Sequence, residues 1–170
     1  MLGIGVGFDT VGQDKHFSIY APTEPEQVFE IPDTREGWVE SVRLLINSYL
    51  RANQSIQKFN YDLIRPLGAP IKGFGGVASG PAPLIKLHDQ IDRVIGSRGG
   101  ETLDSRAIVD LVNLIGTCVV SGNVRRSATL ALGNAGDEAF MNLKNAELFP
   151  ERNSFDPDNP GWAWMSNNSI

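Results

Sequence analysis

Residues 65–83 read RPLGAPIKGFGGVASGPAP, with five glycines and four prolines among nineteen positions. Glycine allows positive φ angles and close backbone approach, whereas proline fixes φ, so this composition predicts a shaped loop instead of a helix or strand. A helical pattern follows directly, at Leu84, Ile85, Leu87, Ile91 and Val94. A glycine-rich loop that opens onto a helix N-terminus can bind phosphate, with Lys72 as the cation beside Gly73, Gly75 and Gly76. The alternative is a purely structural turn, and the Gly-Lys-Ser/Thr ending of a P-loop is absent.

The composition limits the classes of function. A length of 170 residues suits one domain, and a net charge of −5 gives no general attraction for nucleic acid. No apolar run reaches membrane-spanning length and no signal peptide opens the chain, so we expect no membrane partner. The single cysteine, Cys118, excludes an internal disulfide and fits a reducing cytoplasm. Two distant histidines do not support a metal site.

The first half of the chain predicts short strands around one long helix. Met1–Phe8 alternates glycine with apolar residues, which indicates a strand with one bare face; we reject a dinucleotide fingerprint because no helix follows. The runs 15–20 and 27–31 predict a strand pair. Asp33 or Thr34 caps an amphipathic helix with Trp38 and Tyr49 as core anchors. A further strand is expected over 59–64.

The second half predicts further helices and strands. After a break at 96–100, Asp104 or Ser105 caps a helix whose apolar stripe includes Val109 and Leu114. We interpret Cys118, among apolar neighbours, as a structural side chain with a raised pKa. A strand is expected over 129–132, a helix over 137–148 with Phe140, Met141, Leu143 and Leu148 inward, a surface excursion over 150–160 and a strand from Gly161.

A second candidate site is the loop SGNVRRSA at residues 121–128. Its adjacent arginines, Arg125 and Arg126, suit bidentate recognition of a phosphate or a base edge. An ordinary solvated loop is the alternative, and chemistry alone does not decide between them.

Four motifs in this order carry a resemblance to a known family: GIGVGF at 3–8, the loop at 65–83, GNVRRSATLAL at 122–132 and WMSNNS at 164–169. Together they resemble the monomeric adenosylcobalamin-dependent (class II) ribonucleoside-triphosphate reductases over nearly the whole chain. The resemblance implies an α/β fold, a part of the ten-stranded reductase barrel with inserted helical elements. It also implies that residues 1–170 are one fragment of the barrel domain, incomplete at both ends, with helical elements at 25–55 and 96–119 near the effector site.

The resemblance also implies roles for individual residues. Leu2, Gly3 and Gly5 of the glycine strand, with Arg125 and Arg126, would bind the substrate nucleotide. Lys72, Gly73, Gly75 and Gly76 would bind the phosphates of a deoxynucleoside triphosphate effector. The specificity loop, which passes the choice of base from effector to substrate, would comprise Gly122, Asn123, Val124, Arg125, Arg126 and Ser127.

No catalytic residue of the family can be carried onto this chain. The family needs a thiyl-radical cysteine, a redox cysteine pair and a glutamate, and Cys118 is where none of these cysteines is expected. The resemblance places one redox cysteine before Gly3, and the radical cysteine, its glutamate and most of the adenosylcobalamin surface after Asn168. We therefore expect the chain alone to reduce no nucleotide.

Two classes of function remain open. In the first, the chain is part of a reductase that uses ribonucleoside triphosphates, a deoxynucleoside triphosphate effector, thioredoxin or a similar reductant, and the remainder of the reductase chain. In the second, it is a stand-alone deoxynucleotide-binding module without catalysis. An unrelated α/β domain is the remaining alternative.

Overall fold

The computed structural model describes residues 5–11, 17–71, 76–121 and 127–170. In these ranges the strands are β1 (Gly5–Asp9), β2 (Glu24–Glu30), β3 (Ser55–Asn60), β4 (Ala128–Leu132) and β5 (Ser166–Ser169). The helices are α1 (Arg35–Leu50), α2 (Ala82–Ile91), α3 (Ser105–Val120) and the short α4 (Glu138–Met141). A π-helical turn, Asp92–Gly96, extends α2, and a 3₁₀ turn, Ala163–Met165, precedes β5.

The described strands form two parallel sheets. One has the order β1-β4-β5, and the other pairs β2 with β3. Parallel neighbours need a crossover between them, and α1 supplies it between β2 and β3. The predicted α/β class is confirmed. The ten-stranded barrel remains a prediction, because the described residues contribute three strands to the larger sheet.

Side-chain caps start the two long helices where the sequence predicts them. Thr34 Oγ1 accepts a hydrogen bond from Gly37 N at 3.0 Å, and Asp104 Oδ1 accepts one from Ala107 N at 2.7 Å. Each satisfies a backbone donor that has no partner within its helix, a contribution of about 1 kcal/mol. Between the two alternatives given for each helix, the structure selects Thr34 and Asp104.

The helices α1, α2 and α3 pack around one apolar core. Leu84, Leu87 and Ile91 of α2 and Leu114 of α3 are fully buried there. Trp38 and Tyr49 pack against this core as predicted. A smaller cluster of Val109, Ala131, Phe140 and Leu143 joins α3 to the back of β4.

The predicted pairing of 15–20 with 27–31 is wrong. Residues 27–30 belong to β2, whose partner is β3, whereas Ser18 forms a bridge with Thr102. Ile19 is the reason, since it is buried in the helical core and its backbone bonds to Glu101 O at 2.8 Å. Burial of the Ile19 side chain outweighed the alternation of polar and apolar residues that predicted a strand at 15–20. Lys15 and His16 lie outside the described residues.

Two other predicted strands have different bounds in the structure. The strand expected at 59–64 is β3, which ends at Asn60 because its side chain accepts a hydrogen bond from Asp62 N at 2.9 Å and turns the backbone. The strand expected from Gly161 starts only at Ser166, after the 3₁₀ turn.

The predicted helix over 137–148 is wrong beyond its first turn. Helix α4 ends at Met141, and Asn145 Oδ1 then accepts hydrogen bonds from Glu147 N and Leu148 N. Asparagine competes in this way with helical hydrogen bonding. Phe140 and Leu143 are buried as predicted, whereas Met141 and Leu148 are exposed.

The segment 150–160 is only partly a surface excursion. Arg152 is 2% exposed and forms an ion pair with Asp110 of α3. A long polar run therefore contains one of the most deeply buried side chains of the described residues.

Candidate functional site

Three of the predicted site residues are described by the structure: Gly5, Gly76 and Ser127. The others lie outside the described residues, and their roles stay predictions: Leu2, Gly3, Lys72, Gly73, Gly75, Gly122, Asn123, Val124, Arg125 and Arg126. The site is therefore built from the elements that flank them.

Two predicted motifs lie side by side at the end of the larger sheet where its parallel strands begin. Gly5 pairs with Ala128, so the glycine strand lies beside the strand that follows residues 122–127. A Cβ atom on Gly5 would come no closer to its neighbours than 3.9 Å, to Ala128 O, and one on Gly7 would have nothing within 4 Å. A side chain at either position would not clash with the described residues, so their packing does not require glycine there. The bare backbone leaves room for another group to lie against it.

The predicted effector loop has a closed neck. Pro70 bridges to Val77, Ile71 N donates to Gly76 O at 3.1 Å, and Ala78 N donates to Ala69 O at 2.8 Å. Ile71 and Gly76, the described residues on either side of residues 72–75, are therefore held next to each other.

Helix α2 begins two residues after Gly80. At Gly80, with φ of 69°, an added Cβ would lie 2.9 Å from Leu67 N, so this position requires glycine. The neck and this close approach agree with the prediction of a shaped loop that opens onto a helix.

A buried histidine joins α2 to α1 and to the segment that leads into the loop. His88 Nε2 lies 3.0 Å from Ser41 Oγ, and Nδ1 lies 2.7 Å from Tyr61 Oη, while the ring stacks on Phe59. Ser41 donates its only hydroxyl proton to Trp38 O at 2.9 Å, so its oxygen accepts from His88. The neutral imidazole therefore carries its proton on Nε2, and Nδ1 accepts from Tyr61.

We expect His88 to remain neutral well below pH 6. Burial lowers the pKa of His88 to about 4, from about 6.5 in the unfolded chain. As the pH falls, the unfolded chain therefore takes up the His88 proton at a higher pH than the folded chain does. The free energy of unfolding that is present above the unfolded pKa is lost as the pH falls through the folded pKa. This loss is on the order of 3 kcal/mol between pH 7 and pH 4. Urea unfolding of the chain and of His88→Gln at several pH values measures it.

Carboxylates that titrate in the same pH range affect the unaltered chain and the His88→Gln variant equally. The difference between their free energies of unfolding therefore reports on His88 alone. The His88→Gln variant should show the shallower decline in the free energy of unfolding. A ¹⁵N spectrum should show the Nε2-protonated tautomer at neutral pH. An NMR titration midpoint for His88 near 6.5 in the folded chain would contradict the prediction.

Sequence reasoning missed the buried polar side chains of α3, Asp110 and Asn113. Both interrupt an apolar stripe, which is the signal that could have found them. Asp110 Oδ1 accepts hydrogen bonds from Arg152 Nε at 2.7 Å and Trp162 Nε1 at 2.6 Å. Burial raises the pKa of Asp110, opposed mainly by Arg152. Asn113 is fully buried and contacts both β4 and β5 through side chains.

A cavity of about 600 Å³ lies between α2, the start of α3 and residues 151–162. Lys86 and Arg93 line it, as do Arg98 and Arg106, which pair with Asp104 at 2.9 and 3.7 Å. The lining also contains Asp89, Asp110, Glu151 and Asp158. This balance of charge favours no single class of ligand.

Three further observations concern the single cysteine, potential metal ligands and the length of the helices in the described residues. Cys118 is buried at the end of α3, and burial raises its pKa to about 12, as expected of a structural thiol. No cluster of three or more potential metal ligands occurs among the described residues. None of their helices is long and apolar enough to cross a membrane.

Comparison with known proteins identifies the family. The family model described as "B12-dependent ribonucleotide reductase, insertion domain" matches residues 7–95, more than half of the chain. The chain belongs to the B12-dependent ribonucleotide reductases. The resemblance predicted from the four motifs is thereby confirmed.

Reductases from distant organisms are similar to this chain along its length. A probable adenosylcobalamin-dependent ribonucleoside-triphosphate reductase of Dictyostelium discoideum is 45% identical over 100% of the chain and 24% of its own length. The Euglena gracilis reductase is 44% identical over 100% of the chain and 22% of its own length. The Lactobacillus leichmannii reductase is 43% identical over 84% of the chain and 18% of its own length. The chain thus spans less than a quarter of the length of these relatives.

A solved structure supports the same assignment. The crystal structure of a B-12 dependent (class II) ribonucleotide reductase matches 100% of the chain and 23% of its own chain, with a TM-score of 0.67 and 31% sequence identity. Of the described residues, His88 and Cys118 are both buried, so neither the imidazole nor the thiol is accessible as a ligand for cobalt. We derive no step through this cofactor.

Proposed function

We propose that the chain is part of an adenosylcobalamin-dependent ribonucleoside-triphosphate reductase. It contributes backbone of the substrate pocket and the loops through which an effector selects the substrate. The catalytic cysteines, the glutamate and most of the adenosylcobalamin surface come from other parts of the reductase. The reductant is thioredoxin or a similar dithiol, and the location is cytoplasmic, in line with a single unpaired cysteine.

One observation carries the proposal: the pairing of Gly5 with Ala128 at the N-terminal edge of the sheet. Neighbouring strands in a sheet lie about 4.8 Å apart. The strand proposed to line the substrate pocket and the end of the proposed specificity loop are therefore direct neighbours. A loop at this edge can contact a nucleotide that lies against the bare backbone of β1.

The proposed effector site lies at the neck, whose described residues are 68–71 and 76–78. Lys72, Gly73 and Gly75 come between these two segments in the sequence, and backbone N–H groups of a glycine-rich segment can bind phosphate. A triphosphate carries several negative charges, and Lys72 is the cation of this loop. We propose a deoxynucleoside triphosphate as the ligand and the ribonucleoside triphosphate as the substrate.

The effector site is tested by replacing Lys72 with alanine. A hydrogen bond to a charged group contributes about 1.5–3 kcal/mol, so we expect the dissociation constant of the preferred deoxynucleoside triphosphate to rise about tenfold or more. Isothermal titration calorimetry with each of the four deoxynucleoside triphosphates measures it. Lys58→Ala is the matched control, because Lys58 is exposed on β3 and pairs with Glu26 at 3.7 Å.

The outcomes separate the two classes of function. Equal binding by the Lys72→Ala variant, or no binding by the unaltered chain, would contradict the effector site. If the chain binds a deoxynucleotide but the polypeptide that carries it reduces no ribonucleotide, a stand-alone binding module is supported instead. Ribonucleotide reduction by residues 1–170 alone would contradict the expectation that the catalytic groups lie elsewhere.

A further inference from the structure

A group of buried polar side chains joins the middle of α3 to the beginning of β4 and β5. Asn113 Nδ2 donates to Ser166 Oγ at 3.0 Å, and Asn113 Oδ1 accepts from Thr129 Oγ1 at 3.1 Å. The Thr129 hydroxyl also lies 2.9 Å from Met165 O, and Ser166 Oγ lies 2.9 Å from Asn168 Oδ1. We call Asn113, Thr129 and Ser166 the amide bridge.

The amide bridge is buried. Asn113 is 0% exposed, Ser166 is 1% and Thr129 is 4%. A buried polar group that loses its partner costs about 1–3 kcal/mol, so these side chains strongly favour the arrangement in which they contact each other. Lys144 Nζ donates to Ser166 O at 2.7 Å and holds the backbone of β5 at the same place.

The bridge lies at the sheet edge where the proposed site is. Thr129 pairs with Val6 of β1 on one side and with Ser166 of β5 on the other. Val6, Thr129 and Ser166 therefore form one row across the sheet. The preceding row pairs Gly5 with Ala128. The bridge is therefore one residue away from the contact that carries the proposed function.

Asn113 and Thr129 are sixteen positions apart in the sequence, and the bridge joins them directly. From Asn113 the helix continues to Val120, a rise of about 10 Å, and β4 begins at Ala128. The intervening residues 121–127 include the whole proposed specificity loop. A change in the distance between α3 and β4 would therefore move both ends of that loop relative to each other.

We propose that the amide bridge positions the specificity loop and thereby sets how strongly an effector changes the choice of substrate. Asn113, Thr129 and Ser166 are positioning residues in this role. Because all three are buried, the role assigned to them is to act through the ends of residues 121–127. The inference rests on the proposed function and names the side chains that govern its selectivity.

The test is Thr129→Val in the complete reductase, because valine keeps the shape of threonine and removes only the hydroxyl. The quantity measured is the ratio of kcat/KM for two ribonucleoside triphosphates, with and without each deoxynucleoside triphosphate. We expect the effector-dependent change in this ratio to shrink about 2- to 30-fold. Thr129→Ser keeps the hydroxyl and should retain the wild-type change in the ratio.

Thr117→Val is the matched control on the same helix. Thr117 Oγ1 donates to Leu114 O at 2.8 Å within α3, so its loss removes a hydroxyl without touching the bridge. This variant should leave the effector-dependent ratio unchanged. Thermal unfolding of every variant checks that it is folded. If Thr129→Val does not fold, Ser166→Ala replaces it, because it also removes one hydroxyl of the bridge.

A uniform loss of activity toward all substrates, with the effector-dependent ratio intact, would overturn the inference and leave the bridge a purely structural feature. So would an equal change in Thr129→Val and Thr117→Val. If the wild-type reductase shows no effector-dependent ratio at all, the proposed function itself fails, and the inference fails with it. The wild-type measurement therefore distinguishes the two failures.

Discussion

Replacing Arg152 with methionine is expected to lower the free energy of unfolding by about 3–5 kcal/mol. Arg152 donates from Nε and Nη2 to Asp110 Oδ1 at 2.7 and 2.6 Å and from Nη1 to Leu143 O, and it is almost completely buried. Methionine fills similar space but leaves the Asp110 carboxylate buried without its counterion. Urea-induced unfolding of the chain, followed by circular dichroism, measures the loss.

The loss should depend on pH in a defined direction. Burial already raises the pKa of Asp110 in the presence of Arg152, and removal of the guanidinium raises it further. The folded variant then binds a proton more tightly than the unfolded chain does, so its stability decreases as the pH rises. The difference from the unaltered chain should be larger at pH 7 than at pH 4.

Two control variants make this prediction specific. Asp110→Asn combined with Arg152→Met removes the buried charge but keeps an acceptor for Trp162 Nε1, so it should recover part of the lost stability. Arg35→Met disrupts an exposed pair with Glu36, which water screens, so the expected loss of stability is much smaller than at Arg152. If Arg152→Met and Arg35→Met lose similar stability, the buried pair does not hold residues 150–162 on α3.

Replacing Gly161 with alanine is expected to lower the free energy of unfolding by about 3 kcal/mol, at the upper end of the usual cost of overpacking. The added Cβ would lie 2.2 Å from Arg152 O and 2.7 Å from Ser154 N. These are backbone atoms that cannot rotate away. Arg152 O also accepts from Trp162 N at 3.0 Å and Ala163 N at 2.9 Å, so a shift at this point breaks further hydrogen bonds.

Gly136→Ala is the control for this prediction. A Cβ at Gly136 would meet only Asn134 Oδ1, at 3.5 Å, which is ordinary contact. Alanine there should change the stability by less than about 1 kcal/mol. Thermal unfolding of both variants provides the comparison, and an equal effect at Gly136 and Gly161 would contradict the close packing of residues 152–154 against residue 161.

The two stability predictions concern a segment that the sequence presents as a polar loop. Among the described residues, segment 150–162 contains a buried arginine, a glycine in contact with backbone and a tryptophan bonded to α3. The arginine and the tryptophan have no local sequence signature, because both bond to Asp110, which lies 42 and 52 residues earlier in the chain. The same holds for the amide bridge, where Asn113 meets Ser166 fifty-three residues later.

Local signals, in contrast, were sufficient for much of the secondary structure. The caps Thr34 and Asp104 and the apolar spacing of α1, α2 and α3 predicted three helices whose cores are formed as expected. Apolar spacing failed to predict the end of α4, because the Asn145 side chain bonds to the backbone in place of a further helical turn. The family, too, was predicted from ordered motifs and confirmed by comparison.

The α/β class, the long helices, the structural cysteine and the family could be predicted from the amino-acid sequence. Periodicity and capping depend on residues near each other in the chain, and the order of the motifs is read directly along it. The sequence did not predict that β2 pairs with β3, that Arg152 is buried, or that Gly5, Ala128 and the amide bridge lie together where the strands of the larger sheet begin; the folded structure shows all three. The physical reason is that strand partners and buried polar contacts are selected by the free energy of packing between distant segments. A residue's own neighbours in sequence do not contain that information.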